Sequence, residues 1–136
     1  MTTTIPDSHA ALLSAPNFVT VVTMMPNGQP QASVLWSSYD GKHIVLNTAK
    51  GRQKDKNIHN NPNVTVLAID PTNPYRYIEV RGVVDEITEE GALEHINSLS
   101  KAYTGEEDYY RNSPERRKTE QRMIFKVKPT HVNARG

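Results

Sequence analysis

The sequence predicts a mainly β fold: a six-stranded antiparallel sheet that curls on itself, with two or three helices set around it. Three observations predict this. Short apolar, β-branched runs of strand length recur along the chain, and turn signals join them at Pro26-Asn27-Gly28-Gln29 and Asp40-Gly41. Only one long segment, Glu89 to Tyr103, carries apolar residues at helical spacing. An antiparallel sheet of six strands also leaves bare edges unless it closes or pairs. With 136 residues and no internal repeat, a single domain spanning 1–136 is expected.

Pro6-Asp7 followed by Ala10, Ala11, Leu12 and Leu13 reads as a short helix that ends near Pro16. Phe18 to Met24 is the first strand, and Pro30 to Tyr39, with Val34, Leu35 and Trp36, is the second. The third runs from His43 to Thr48, so these three consecutive strands are expected to form a meander. A short helix from about Arg52 to Asn60 stops at Asn61-Pro62, because the residue before a proline avoids the helical region. Asn63 to Asp70 is the fourth strand and Tyr75 to Ile87 the fifth. Along the fifth, Ile78 and Val80 alternate with Tyr75, Tyr77, Glu79 and Arg81, so one face is polar and aromatic. Such a face suits an interface or a ligand wall, and equally ordinary cross-strand pairing. Thr88 is a candidate cap for the amphipathic helix that buries Ala92, Leu93, Ile96, Leu99 and Tyr103. Gly105 to Lys118 is highly charged and reads as a loop with a short helical turn. Gln121 to Pro129 is the last strand, with Met123, Phe125 and Val127 inward.

Composition excludes several function classes. Sixteen basic residues against fifteen acidic ones leave a formal charge of +1, so the global footprint of a nucleic-acid or membrane-surface binder is missing. The chain has no cysteine, which removes thiolate chemistry, disulfides and iron–sulfur ligation, and its five histidines are too scattered for a metal motif. Neither a signal-like run nor a long apolar stretch is present, and a cytoplasmic location is expected. No GxSxG elbow, Walker loop or GxGxxG occurs. The paired acids Glu89-Glu90 and Glu106-Glu107-Asp108 read as solvated.

The most informative stretch is Asn47-Thr48-Ala49-Lys50-Gly51-Arg52-Gln53-Lys54-Asp55-Lys56-Asn57, where a strand pattern gives way to a helix pattern. It puts cations at a helix N-terminus, where the peptide dipoles make each one unfavourable by about 0.3 to 1 kcal/mol. A bound anion reverses that sign: free N–H groups, the Thr48 hydroxyl and the Arg52 and Lys54 heads would make a phosphate cradle. From the residues alone the segment is either that cradle or a solvated basic surface. Trp36, the only tryptophan, is either core or interface packing or a stacking surface for a flat cofactor.

The order of elements, together with Asn47-Thr48-x-x-x-Arg52-Gln53-Lys54-x-x-Asn57-Ile58-x-x-Asn61-Pro62 and the apolar strand Val64 to Ile69, resembles the pyridoxamine 5′-phosphate oxidase-like superfamily. These are FMN-binding split β-barrels, and the resemblance runs from about Ala10 to Pro129. It implies that Thr48 and Lys54 hold the phosphate of a flavin cofactor, with Asn47, Gln53 and Asn57 belonging to the same binding motif. It also implies that the strand of Ser33, Val34, Leu35 and Trp36 runs past the ring. The authentic oxidases have an Arg and a Lys on the second strand, where this chain has Gln31 and Trp36, and end in a Trp- and Arg-rich segment, where this chain has Val132-Asn133-Ala134-Arg135-Gly136. The Arg52-x-Lys54 pair, the Ser33-Val34-Leu35-Trp36 strand with Tyr39-Asp40-Gly41 after it, and Tyr103-Thr104-Gly105-Glu106 are more similar to the subgroup that uses the deazaflavin coenzyme F420.

What the resemblance implies is a homodimer with two cofactor grooves at its interface. Tyr75 or Tyr77 of one chain would reach the other's groove, and the bound cofactor would transfer a hydride to an electron-poor double bond of a small substrate. F420 is the first expectation for the cofactor and FMN the alternative. A non-catalytic flavin-binding protein and a single-strand nucleic-acid barrel are rival readings, the near-neutral charge weighing against the last. The residues assign no catalytic acid or base; solvent, Tyr39 or Tyr77 are the available proton sources.

Overall fold

The computed structural model describes residues 3–136. A short helix α1 (Asp7–Ala10) runs into a 3₁₀ turn at Ala11–Leu13. Strands β1 (Val19–Met24), β2 (Pro30–Leu35), β3 (Ser37–Tyr39) and β4 (Ile44–Ala49) follow, then helix α2 (Gln53–Asn60). Next come β5 (Asn63–Asp70), β6 (Asn73–Thr88), helix α3 (Ala92–Thr104), helix α4 (Pro114–Thr119) and β7 (Arg122–Arg135). No described helix is long and apolar enough to cross a membrane.

The sheet order is β2-β1-β5-β6-β7-β4-β3. Its two edges, β2 and β3, are consecutive pieces of one segment that meet at Trp36, so the sheet is forced round into a split barrel. Here the expected second strand divides, and the count is seven rather than six. The expected meander is broken at the same point: β2 pairs with β1 up to Val19↔Leu35, whereas β3 pairs with β4 from Ser37↔Leu46. The Tyr103 hydroxyl stabilises the break, taking the Ser37 N–H at 3.1 Å and lying 3.2 Å from the Ser37 carbonyl, while it donates to the Asn17 carbonyl at 2.6 Å. The Ser37 side chain donates to the Leu13 carbonyl at 2.6 Å.

Along β1, β5 and β6 alternate residues enter the barrel, giving a core of Leu13, Val19, Val21, Ile44, Leu46, Val66, Ile78, Val80, Phe125 and Val127. Ile5 and Leu12 plug one side and Ile58 of α2 another. The long strands β6 and β7 coil because their register shifts at Arg81/Gly82 and again at Val84/Glu86. Gly82 sits at the first shift, where a Cβ would lie 2.5 Å from the Lys128 carbonyl oxygen, so only glycine lets the two backbones approach so closely. Through that shift β7 continues beyond Pro129, its expected end, to Arg135.

Strand β4 is buried on both faces. Ile44, Leu46 and Thr48 point into the barrel; Val45, Asn47 and Ala49 point the other way, under α3, in register with Lys126, Ile124 and Arg122 of β7. Val45, Ala92 and Ile124 form the small apolar cluster that seats α3. Thr88 does not cap α3, whose N-cap is Gly91; the Thr88 hydroxyl accepts the Glu90 N–H in the preceding turn.

Candidate functional site

Gly51, at φ +91°, turns the chain from the end of β4 into α2. Asp55, at the third position of the helix, reaches back to the Gly51 N–H at 2.8 Å and fixes the turn. The first-turn N–H groups of Gln53, Lys54 and Asp55 have no acceptor among the described residues. Gln53 donates to Asn57 at 2.7 Å, and Asn57, only 1% exposed, donates onward to the Thr23 hydroxyl at 3.1 Å. Asn57 therefore ties α2 to β1 and is turned away from solvent. The Thr48 hydroxyl is buried with no partner among the described residues, as is that of Ser33.

Lys54 is half-buried and makes no ion pair among the described residues. Its pKa is held below the usual lysine range, first by burial and then by the charges of Arg52 and Arg122. Arg52 extends to Glu120 at 3.3 Å. Arg122, 6% exposed, is the residue that sequence reasoning missed. It stands at the start of β7 opposite Ala49, and its Nη1 also reaches Glu120 at 3.3 Å. Arg52, Arg122 and, behind them, Arg116 thus share the Glu120 carboxylate, and Lys54 stands beside Arg52 and Arg122 without one among the described residues.

Arg122 also fixes a chain of hydrogen bonds. Its Nε can only donate, so the atom of Asn47 that it meets at 2.9 Å is the carbonyl Oδ1. The Asn47 Nδ2 then donates to the Ala92 carbonyl at 2.9 Å and to His95 Nδ1 at 3.1 Å. An accepting Nδ1 leaves the proton of the neutral ring on Nε2, which donates to the Ser38 hydroxyl at 3.1 Å. Burial, then the Arg122 charge, push the His95 pKa down to about 4, which keeps the ring neutral. Asn47, expected in the phosphate-binding motif, is thus committed to joining β4, α3 and β7.

Beside Arg122 opens a pocket of about 200 Å³ lined by Phe18, Val34, Leu35, Trp36, Asn47, Arg52, Ile96, Leu99 and Tyr109. Its wall is aromatic: Trp36 stacks on Tyr103 at 5.3 Å, with Tyr109 edge-on at 5.9 Å. Arg122 lies over the Tyr109 ring at 5.3 Å and Arg116 at 5.9 Å. Arg122 and Glu120 also line a second, larger cleft of about 480 Å³ against the start of α3. Of the expected site residues, the structure brings Val34, Leu35, Trp36, Asn47 and Arg52 to one pocket. Thr48, Gln53 and Lys54 stand at the adjoining turn. Tyr77 lies apart, paired with Ile69 on β5 and Arg135 on β7. The arrangement can hold an anion at the α2 turn and a flat apolar group against Trp36.

The family model for pyridoxamine 5′-phosphate oxidase matches residues 5–136. Among solved structures, an F420 reductase is 32% identical over 95% of this chain and 98% of its own, with a TM-score of 0.80. A conserved hypothetical protein from Mycobacterium tuberculosis is 24% identical, covers 98% of this chain and 86% of its own, and has a TM-score of 0.77. The general stress protein 26 of Bacillus anthracis is 22% identical over 89% of this chain and 85% of its own, with a TM-score of 0.62. The last two show the fold alone. No curated protein matches the chain.

Proposed function

Since the chain belongs to the pyridoxamine 5′-phosphate oxidase family, we propose that it is an oxidoreductase using the deazaflavin coenzyme F420 and acting on a small substrate with an electron-poor double bond. The observation that carries this reading is the cluster of Arg52, Lys54 and Arg122 beside an aromatic pocket, with Glu120 as the carboxylate facing it. Like charges set this close, with Arg122 itself buried, are costly unless an anion joins them, and the first-turn N–H groups of α2 are free to join it. The residues therefore fit the phosphate of a flavin-type cofactor. Similarity to the F420 reductase favours the deazaflavin over FMN.

In this reading Arg52, Lys54 and the free N–H groups of the α2 turn hold the phosphate. Val34, Leu35 and Trp36 flank the ring, with Tyr109 closing the far wall. The bound cofactor supplies hydride chemistry, while the chain orients ring and substrate and keeps water from the contact. His95, held neutral and already bonded at both nitrogens, is a poor proton source, and so is Tyr103, whose hydroxyl is taken by Asn17 and Ser37. The proton comes from solvent or from an exposed tyrosine.

A second copy completes the groove. The outer face of β1, β2 and β5 leaves Phe18 54% and Val34 64% exposed, with Ile69 on the same sheet and Tyr75 on β6 also open to solvent. Phe18 and Val34 line the pocket as well, so a chain that covers this face also borders the ring.

Parallel titration with F420 and FMN, read by Trp36 fluorescence and calorimetry, tests the reading. Tight preference for F420 is expected, and preference for FMN replaces the cofactor while keeping the site. Binding of neither removes the proposal. Turnover of reduced F420 by an acceptor separates an enzyme from a carrier.

A further inference from the structure

Glu120 is the shared acceptor of the basic cluster, and its bonds fall into two kinds. From behind, Arg116 donates to Oε2 through Nη2 at 2.8 Å and Nε at 3.1 Å, and the Tyr110 hydroxyl donates to Oε1 at 2.8 Å. On the site side, Arg52 reaches Oε2 and Arg122 reaches Oε1, each at 3.3 Å. The carboxylate is therefore anchored by the residues that do not line the aromatic pocket and only loosely bonded to the two arginines that do. Its pKa lies below the usual range: burial works against that, and Arg116, Tyr110 and Arg52 outweigh it, so the carboxylate is charged at neutral pH.

We propose that Glu120 is an exchangeable internal counter-ion that sets which anions the cradle accepts. In the free protein it bridges Arg52 and Arg122 and offsets their mutual repulsion. A ligand with enough negative charge takes over Arg52 while Glu120 stays with Arg116 and Tyr110, so the exchange needs no movement of the carboxylate. A weakly basic monovalent anion does not compete with a carboxylate already in place. The cradle thereby rejects chloride and admits phosphate esters. This inference rests on the proposed anion site and adds its selectivity.

The test is calorimetric titration with inorganic phosphate and with F420, with chloride as competitor, on the wild type and on Glu120→Gln. The amide keeps one oxygen to accept from Arg116, its NH2 can donate to the Tyr110 hydroxyl, and the charge is removed. Phosphate affinity is expected to rise about two- to five-fold, the scale of an exchanged part-exposed ion pair, and chloride is expected to become an effective competitor. In an Arg52→Ala background the gain should vanish, since the arginine that would exchange is gone. A purely structural Glu120 gives the opposite pattern: lower melting temperature and unchanged or weaker binding, independent of Arg52. That result overturns the proposal. If Glu120→Gln does not fold, single variants in the wild-type background decide it. Arg52→Ala should then lose less phosphate affinity than Lys54→Ala, because Arg52 gives up a partner on binding and Lys54 does not, and an equal or larger loss overturns the proposal. Phosphate binding that follows this pattern without F420 binding leaves the counter-ion standing and removes the cofactor assignment. A wild type that binds neither removes both.

Discussion

Lys54→Ala separates a ligand-binding cation from a structural one, because its two expected effects have opposite signs. In the free protein the Lys54 ammonium is half-buried at a helix N-terminus, faces the charges of Arg52 and Arg122 and has no ion-pair partner among the described residues. Removing it relieves like-charge repulsion and dipole opposition worth about 0.5 to 1 kcal/mol, less some stem packing. The unliganded variant should therefore melt at the wild-type temperature or up to about 3 °C above it. With phosphate or F420 bound, the same ammonium makes a charge-assisted hydrogen bond worth about 1.5 to 3 kcal/mol, so affinity should fall by roughly 10- to 150-fold. Thermal denaturation with and without ligand, together with calorimetry, measures both numbers on one preparation. A variant that melts several degrees lower and binds ligand normally would show that Lys54 supports the fold and that the phosphate lies elsewhere.

The remaining predictions concern the network behind the site, the sheet crossing and the exposed face. His95 has its folded pKa lowered to about 4, so between that value and the ordinary 6.5 the unfolded chain binds a proton that the native state refuses. Stability should be at its full value above pH 6.5 and fall by about 2 kcal/mol as the pH drops toward 4, once the ring's partial exposure is allowed for; urea titrations at several pH values should show that slope, and His95→Leu should flatten it. Gly82→Ala places a methyl 2.5 Å from the Lys128 carbonyl and 2.7 Å from a Val127 methyl, and should cost about 1 to 3 kcal/mol in denaturant titration without touching the pocket. Val34→Glu should convert a dimer to monomer in light scattering and weaken cofactor binding in parallel, whereas a chain that stays dimeric would move the interface off this face.

Most of the fold was legible because its strands obey period two: β1, β5 and β6 bury alternate residues as their apolar patterns require. The division at Trp36 was not. Residues 30–39 read as one strand by local pattern, and what divides them is a hydroxyl 66 residues away, that of Tyr103, which meets the Ser37 backbone. No window along the chain contains both partners. The continuation of β7 past Pro129 was hidden for a similar reason, since proline argues against a central strand unless a bulge absorbs it, and that bulge, at Thr130 between the Pro129↔Gly82 and His131↔Arg81 pairs, is set only by the pairing of β7 with β6.

The site divides along the same line. Arg52, Gln53 and Lys54 were visible because like charges at a helix start contradict local electrostatics, and a contradiction of that kind is a sequence-level signal. Arg122 carried a weaker one. Met123, Phe125 and Val127 point into the barrel, so Arg122 and Ile124 must share the opposite face, and an amphipathic helix elsewhere in the chain needs a face to cover. Together these place a guanidinium beneath α3, where it cannot remain without partners. The partners it found, Asn47 on one side and Glu120 on the other, are committed for different reasons. Asn47 satisfies Nε and is locked by α3, so that end of Arg122 is structural. Glu120 holds the other end only at 3.3 Å and is itself bound more tightly by Arg116 and Tyr110. A guanidinium fixed at one end and loosely held at the other is preorganised for the proposed anion site, since it can turn to a ligand without backbone rearrangement.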